Sequence, residues 1–153
     1  LSDQIKEQVL SDVAGGRAGV FTDPRASPTG FPFKLVEAPS VAQQEADRER
    51  VCDLGYLRSA ARRADGRMVY RCAAAPVADF VAAGGTVEET VGRRCLCNGL
   101  LSAVGLGQTR EDGGVEAPLV TSGECVTQLA AVAKGRTSYT ARDVLSFLLG
   151  DAG

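Results

Sequence analysis

Gly19-Val20-Phe21-Thr22-Asp23-Pro24-Arg25-Ala26-Ser27-Pro28-Thr29-Gly30-Phe31-Pro32-Phe33-Lys34-Leu35-Val36-Glu37 is the stretch on which the architecture turns. Val20, Phe21 and Thr22 are residue types that suit a short strand, and Lys34 to Glu37 reads as extended again. Between them, Pro24, Pro28 and Pro32 together with Gly30 exclude regular structure. Proline has a fixed φ and no N–H to give to a ladder or a helix. A loop this long inside a small domain usually has a task. Two readings follow: a surface crossing, or a segment packed against another domain or over a site.

Upstream, Ile5, Val9, Leu10 and Val13 fall on one side of a helix, with Ser2 or Asp3 placed to cap it and Gly15-Gly16 to end it. Downstream, residues 38–50 read as an exposed polar connection or a short helix. Cys52 to Cys72 reads as an irregular hairpin that turns at Asp65-Gly66 and returns through Met68-Val69-Tyr70. Pro76 suits a first helical position, with Val77, Phe80 and Val81 facing inward and Gly84-Gly85 as the stop. Thr86 and Glu89 have the spacing of a capping box. Leu96, Leu100, Leu101 and Val104 repeat at helical spacing, and Val126, Leu129, Ala130 and Ala133 do so again after Thr121-Ser122-Gly123. Thr140 and Asp143 open the last helix, Val144, Leu145, Phe147 and Leu148 form its apolar stripe, and Gly150 closes it. The expected class is α+β, helix-rich, with a small hairpin, long loops and no parallel sheet.

Composition narrows the functions. The chain has 153 residues, a net charge of −2 and no long basic run, so it lacks the electrostatic footprint of a nucleic-acid binder. The pairs Arg62-Arg63 and Arg93-Arg94 read as solvated surface. No apolar run approaches the roughly 20 residues of a membrane span. Five Phe, three Tyr and no Trp leave the core to Val, Leu and Ala with a few Phe anchors. There is no His, which removes imidazole-based hydrolysis and His-ligated metals from this chain. The start at Leu1, directly in a helical pattern, suggests a domain cut from a longer polypeptide.

Several stretches together resemble one branch of the nitronate monooxygenase (2-nitropropane dioxygenase-like) family. They are Val20 to Pro24 with Ala26 to Lys34, Val51-Cys52-Asp53-Leu54-Gly55-Tyr56-Leu57-Arg58, Tyr70-Arg71-Cys72, Thr90 to Leu100, Pro118 to Gly123, and Thr137 to Val144. The order is collinear from about residue 5 to residue 150. The resemblance implies the C-terminal part of a TIM-barrel flavoenzyme: one segment over 1–153, in which 1–37 follows the barrel and 50–150 is a cysteine-containing helical subdomain. It further implies FMN held mainly by an upstream barrel that also carries the catalytic base, a nitronate and O2 as substrates, and a cytoplasmic setting. Gly15-Gly16-Arg17 follows a helix rather than a strand, so no phosphate loop is read in this chain. On this reading the chain alone is inactive, and Thr29, Gly30, Phe31 and Phe33 are the candidates to wall the substrate cavity. The bland alternative is that the two Phe rings anchor their loop to the core.

Cys52, Cys72, Cys95 and Cys97 form a set with Cys125 left over. Four thiolates could hold a structural Zn²⁺ or an iron–sulfur cluster, and Arg71 and Arg94 beside them favour thiolate. C-x-C is tighter than a usual zinc knuckle, so buried thiols acting as small hydrophobes and a disulfide remain open. Cys125 reads as core. Two further functions stay in play: a flavin-dependent enoyl reductase segment, and a non-catalytic, cysteine-rich interaction module.

Overall fold

A computed structural model describes residues 1–41, 50–51, 54–109 and 111–150. The chain divides into two compact units. The first comprises Leu1–Phe21, Lys34–Ala42 and Thr121–Gly153, and the second Thr22–Phe33 and Gln43–Val120. Residues after 120 join the N-terminal helix and not the cysteine-containing region. The class is α+β, with helices and two small two-stranded sheets. No helix among the described residues is long and apolar enough to cross a membrane.

In the first unit, α1 (Asp3–Ala14) starts where the Ser2 hydroxyl accepts from the Ile5 N–H. It buries Ile5, Val9, Leu10 and Val13, the face that the i, i+4 spacing dictates. Gly16, at φ 66°, takes the chain out of the helix. β1 (Gly19–Asp23) pairs with β2 (Phe33–Glu37), and Leu35 of β2 also bridges Thr121. A 3₁₀ helix over Glu124–Gln128 runs into α5 (Leu129–Ala133), which packs on α1. Lys134, at φ 50°, ends α5 in a left-handed residue. α6 (Ala141–Leu149) packs against α5 and begins with a complete capping box between Thr140 and Asp143.

Asp12 lies on the buried face of α1 and is only 4% exposed. Its carboxylate accepts from the Ser40 N–H at 3.0 Å and from the Ser40 hydroxyl, and Arg17 pairs with it at 2.9 Å. The Ser40 hydroxyl bond comes first among the causes that hold its pKa below the ordinary 3.8, ahead of the opposing pull of burial. One carboxylate thereby ties the 38–41 turn to the helix.

In the second unit, β3 (Ser59–Arg62) and β4 (Met68–Arg71) form an antiparallel hairpin pairing Ser59 with Arg71 and Arg62 with Met68. Gly66, at φ 84°, makes its turn. α2 (Val77–Ala82) inserts Phe80 into the core, and Arg71 stacks on that ring at 4.9 Å. α3 (Val87–Thr90) carries the Thr86–Glu89 capping box, and α4 (Leu96–Ala103) packs along residues 117–119.

Four side-chain expectations are corrected. Val81 is 41% exposed, because α2 is too short to bury more than Phe80. Leu100 and Val104 face outward, and the inner face of α4 is Leu96, Asn98, Gly99 and Ala103. Small residues win that face because the Leu119 backbone approaches closely enough to give its N–H to the Gly99 carbonyl at 2.9 Å. Cys125 is exposed. Residues 124–128 wind at three residues per turn rather than 3.6, which moves Cys125 off the inward phase that Val126 occupies. Pro76 caps α2 instead of opening it. Of the 38–50 connection, 42–49 lie outside the described residues, as do Cys52 and Asp53.

Candidate functional site

The Pro/Gly-rich loop is ordered by its own polar groups. Asp23 accepts from the Arg25 N–H at 2.8 Å and starts a 3₁₀ turn over Pro24–Ala26. The Ser27 hydroxyl, fully buried, accepts from the Thr29 N–H and bonds the Thr29 hydroxyl at 2.9 Å. The Gly30 N–H closes on the Ser27 carbonyl, and Gly30 sits at φ 77°, a conformation that a side chain would strain. Arg93 donates to the Ser27 carbonyl at 2.7 Å, and the Arg94 N–H donates to the Ala26 carbonyl at 3.0 Å. The loop is thus a fixed platform, gripped from the segment that precedes α4.

On that platform Phe31 is 63% exposed and meets Phe33 edge to face, with ring centroids 5.5 Å apart. Phe31 does not anchor the loop to the core. Thr29 and Gly30 are exposed beside it, and Phe33 is half-buried. The four wall candidates therefore occupy one stretch, with its apolar ring turned to solvent.

The segment that grips the loop also carries two of the cysteines. Cys95 is the N-cap of α4 and Cys97 lies in its first turn. Cys72, from the end of the hairpin, is buried with Cys95 and Ala74, and Cys97 and Ala75 pack against them. Three of the four candidate ligands are therefore brought together, while Cys52 lies outside the described residues. No disulfide joins Cys72, Cys95, Cys97 or Cys125. Among the described residues no group of three or more His, Cys, Asp or Glu side chains is arranged to hold a metal ion.

Polar contacts that the residue pattern did not reveal hold these loops. Arg50 donates to the carbonyls of Ala73 and Thr90, at 2.9 and 2.6 Å. Asn98, fully buried, donates to the Val51 carbonyl and accepts from the Gln108 N–H at 2.8 Å. Glu116, 1% exposed, accepts from the Val51 N–H at 3.0 Å. The only sequence signal for them is a polar residue within an apolar helical run, as Asn98 is within Leu96–Leu101.

Neither of two hollows among the described residues suits FMN. A hollow of about 470 Å³ is lined by Asp3, Lys6, Glu7, Leu10, Thr137, Ser138 and Tyr139, where two carboxylates face one ammonium, a poor setting for a phosphate. A hollow beside Arg58, Tyr70, Arg71, Asp79 and Phe80 measures about 160 Å³, below the roughly 300 Å³ at which small-molecule sites begin. No flavin step is derived from these side chains.

No protein-family model, curated protein or solved structure gives a significant match to this chain.

Proposed function

We propose that this chain is the C-terminal portion of an FMN-dependent nitronate monooxygenase-like oxidoreductase, bracing or covering an active site whose flavin and catalytic base belong to a barrel outside these residues. The observation that carries the reading is where the stretches behind the resemblance meet. Ala26 and Ser27 bond to Arg94 and Arg93, Val51 bonds to Asn98, Cys72 packs on Cys95, and Gly99 bonds to Leu119. Residues from five separated stretches thus form one interlocked set in the second unit. Mutually dependent contacts explain why such stretches would travel together in a family.

In this role the Thr29–Phe33 platform offers an apolar face toward a substrate cavity, with Phe31 as its exposed ring. Nitronate and O2 are the substrates, the flavin supplies the redox chemistry when bound, and this chain shapes and closes the cavity. The partner is the flavin barrel, and the setting is cytoplasmic.

Oxygen uptake and flavin fluorescence test this. The 153-residue chain, mixed with FMN and an alkyl nitronate, should neither quench the flavin nor consume oxygen. Joined to a flavin barrel of the nitronate monooxygenase type, it should support turnover, and Phe31→Ala should raise KM several-fold with a smaller effect on kcat. Turnover by the isolated chain would refute the accessory role. An unchanged KM in the Phe31→Ala protein would refute the wall.

A further inference from the structure

We propose that the β3–β4 hairpin binds single-stranded nucleic acid, with Arg58, Arg62, Arg63 and Arg67 on the phosphates and Tyr56 and Tyr70 as stacking surfaces for unpaired bases. The whole-chain charge of −2 conceals this feature, because residues 56–71 hold five arginines against one aspartate. Pleating sorts a two-stranded ribbon into two faces. On the inner one Arg71 stacks on Phe80 and pairs with Glu89 at 3.3 Å, and Ala61 and Val69 are half-buried. The outer one carries Ala60 and Arg62 from β3 and Met68 and Tyr70 from β4, all exposed. The register sets Ala60 opposite Tyr70 and Arg62 opposite Met68. An alanine opposite leaves the tyrosine without a cross-strand neighbour of its own size. Tyr70 is 69% exposed, and Tyr56, just ahead of β3, is 72% exposed. Among the described residues neither ring meets another ring or a guanidinium.

The charge on the ribbon is uncompensated. Arg58, Arg62, Arg63 and Arg67 are all exposed, and among the described residues none of the four pairs with a carboxylate. Asp65, the one acid of the hairpin, accepts from the Arg67 N–H at 3.0 Å and so serves the turn. Arg62 donates to the Gly66 carbonyl at 3.5 Å, which directs its guanidinium toward the tip where Arg63 and Arg67 stand. Like charges held this close repel, and a bound polyanion relieves that repulsion.

The outer face selects among polyanions. All the cations are arginine, whose planar fork takes a phosphate bidentately and whose flat face stacks. An acidic peptide would match the charge but has no planar groups for two exposed tyrosines. An anionic membrane calls for a broad apolar face, and this one offers only Met68 and Tyr70 beside Ala60. A duplex buries the faces of its bases within its own stack. In a single strand every base presents a π-face, and arginines interleaved with aromatic rings are the pattern that holds one without regard to sequence.

Fluorescence anisotropy of the full chain with labelled oligouridine and oligodeoxythymidine, each about 12 nucleotides long, tests this without flavin or turnover. Binding is expected to weaken between about 50 and 200 mM salt, with a log–log slope of about −3, as roughly 0.7 per neutralised phosphate requires for four arginines. The tighter of the two strands tells whether RNA or DNA is the source. Arg62→Ala combined with Arg67→Ala should cut the slope to about half. Tyr70→Ala should weaken binding at least fivefold and leave the slope unchanged. No binding by the wild-type chain at the lower salt would overturn the proposal, and so would equal affinity for a duplex of the same length. Tighter binding to phosphatidylglycerol vesicles or to polyglutamate than to either strand would overturn it too, as would an unchanged affinity in Tyr70→Ala. The wild-type comparison needs no variant, so a substitution that fails to fold leaves the test intact.

Discussion

Asn98 joins three passages of the second unit through one neutral side chain, since its amide nitrogen serves Val51 and its amide oxygen serves Gln108. Truncation to alanine strands a buried carbonyl and an N–H, and an unmade buried hydrogen bond costs more than a made one contributes. Asn98→Ala is therefore expected to lose about 2–3 kcal/mol in urea unfolding, and Asn98→Leu, which adds bulk without restoring either bond, should be no better. In the first unit Asp12 predicts a pH dependence. Its folded pKa is depressed below 3.8, so its contribution is fully present above that value and is lost as pH falls through the lower, folded pKa. Stability measured from pH 6 down to pH 2 should decline more steeply below about 4 in the wild type than in Asp12→Asn. Equal slopes would show that another carboxylate governs acid unfolding.

Helix α4 tests which of two opposed effects is larger at Gly99. Glycine to alanine in a helix gains up to about 1 kcal/mol of propensity. The new Cβ would sit 2.8 Å from the Leu119 Cβ, and overpacking of that kind costs about 1–3 kcal/mol. Since Leu119 is itself buried and bonded to Gly99, the clash should win and Gly99→Ala should lower the unfolding midpoint. At α6, Thr140→Ala removes the cap and should cost about 1 kcal/mol, read as faster hydrogen exchange of the amides in its first turn. Elements of this kind were legible in the chain itself. Ser2 and Thr140 are short-range signals at fixed offsets, and Gly66 at the hairpin turn is another. The inner face of α4 was not legible, because counting large apolar residues points to Leu100 and Val104 while the fold selects glycine and alanine for close approach. The 3₁₀ phase that exposes Cys125 was hidden for a related reason: a period of three and one of 3.6 diverge by only half a residue per turn. For the candidate site, the proline spacing disclosed the loop. The grip of Arg93 and Arg94 on it spans more than sixty residues and has no local signature.

For the chain as a whole, the discontinuity of the first unit bears on how a cell makes it. α1 is translated more than a hundred residues before α5, the helix on which it packs. At ribosomal rates that delay is on the order of ten seconds. During it, Ile5, Val9, Leu10 and Val13 have no α5 to cover them, whereas the cysteine cluster and its clamps, which end at Glu116, are complete before α5 is made. The second unit can therefore close before the first, and α1 is the natural place for a chaperone to hold the nascent chain.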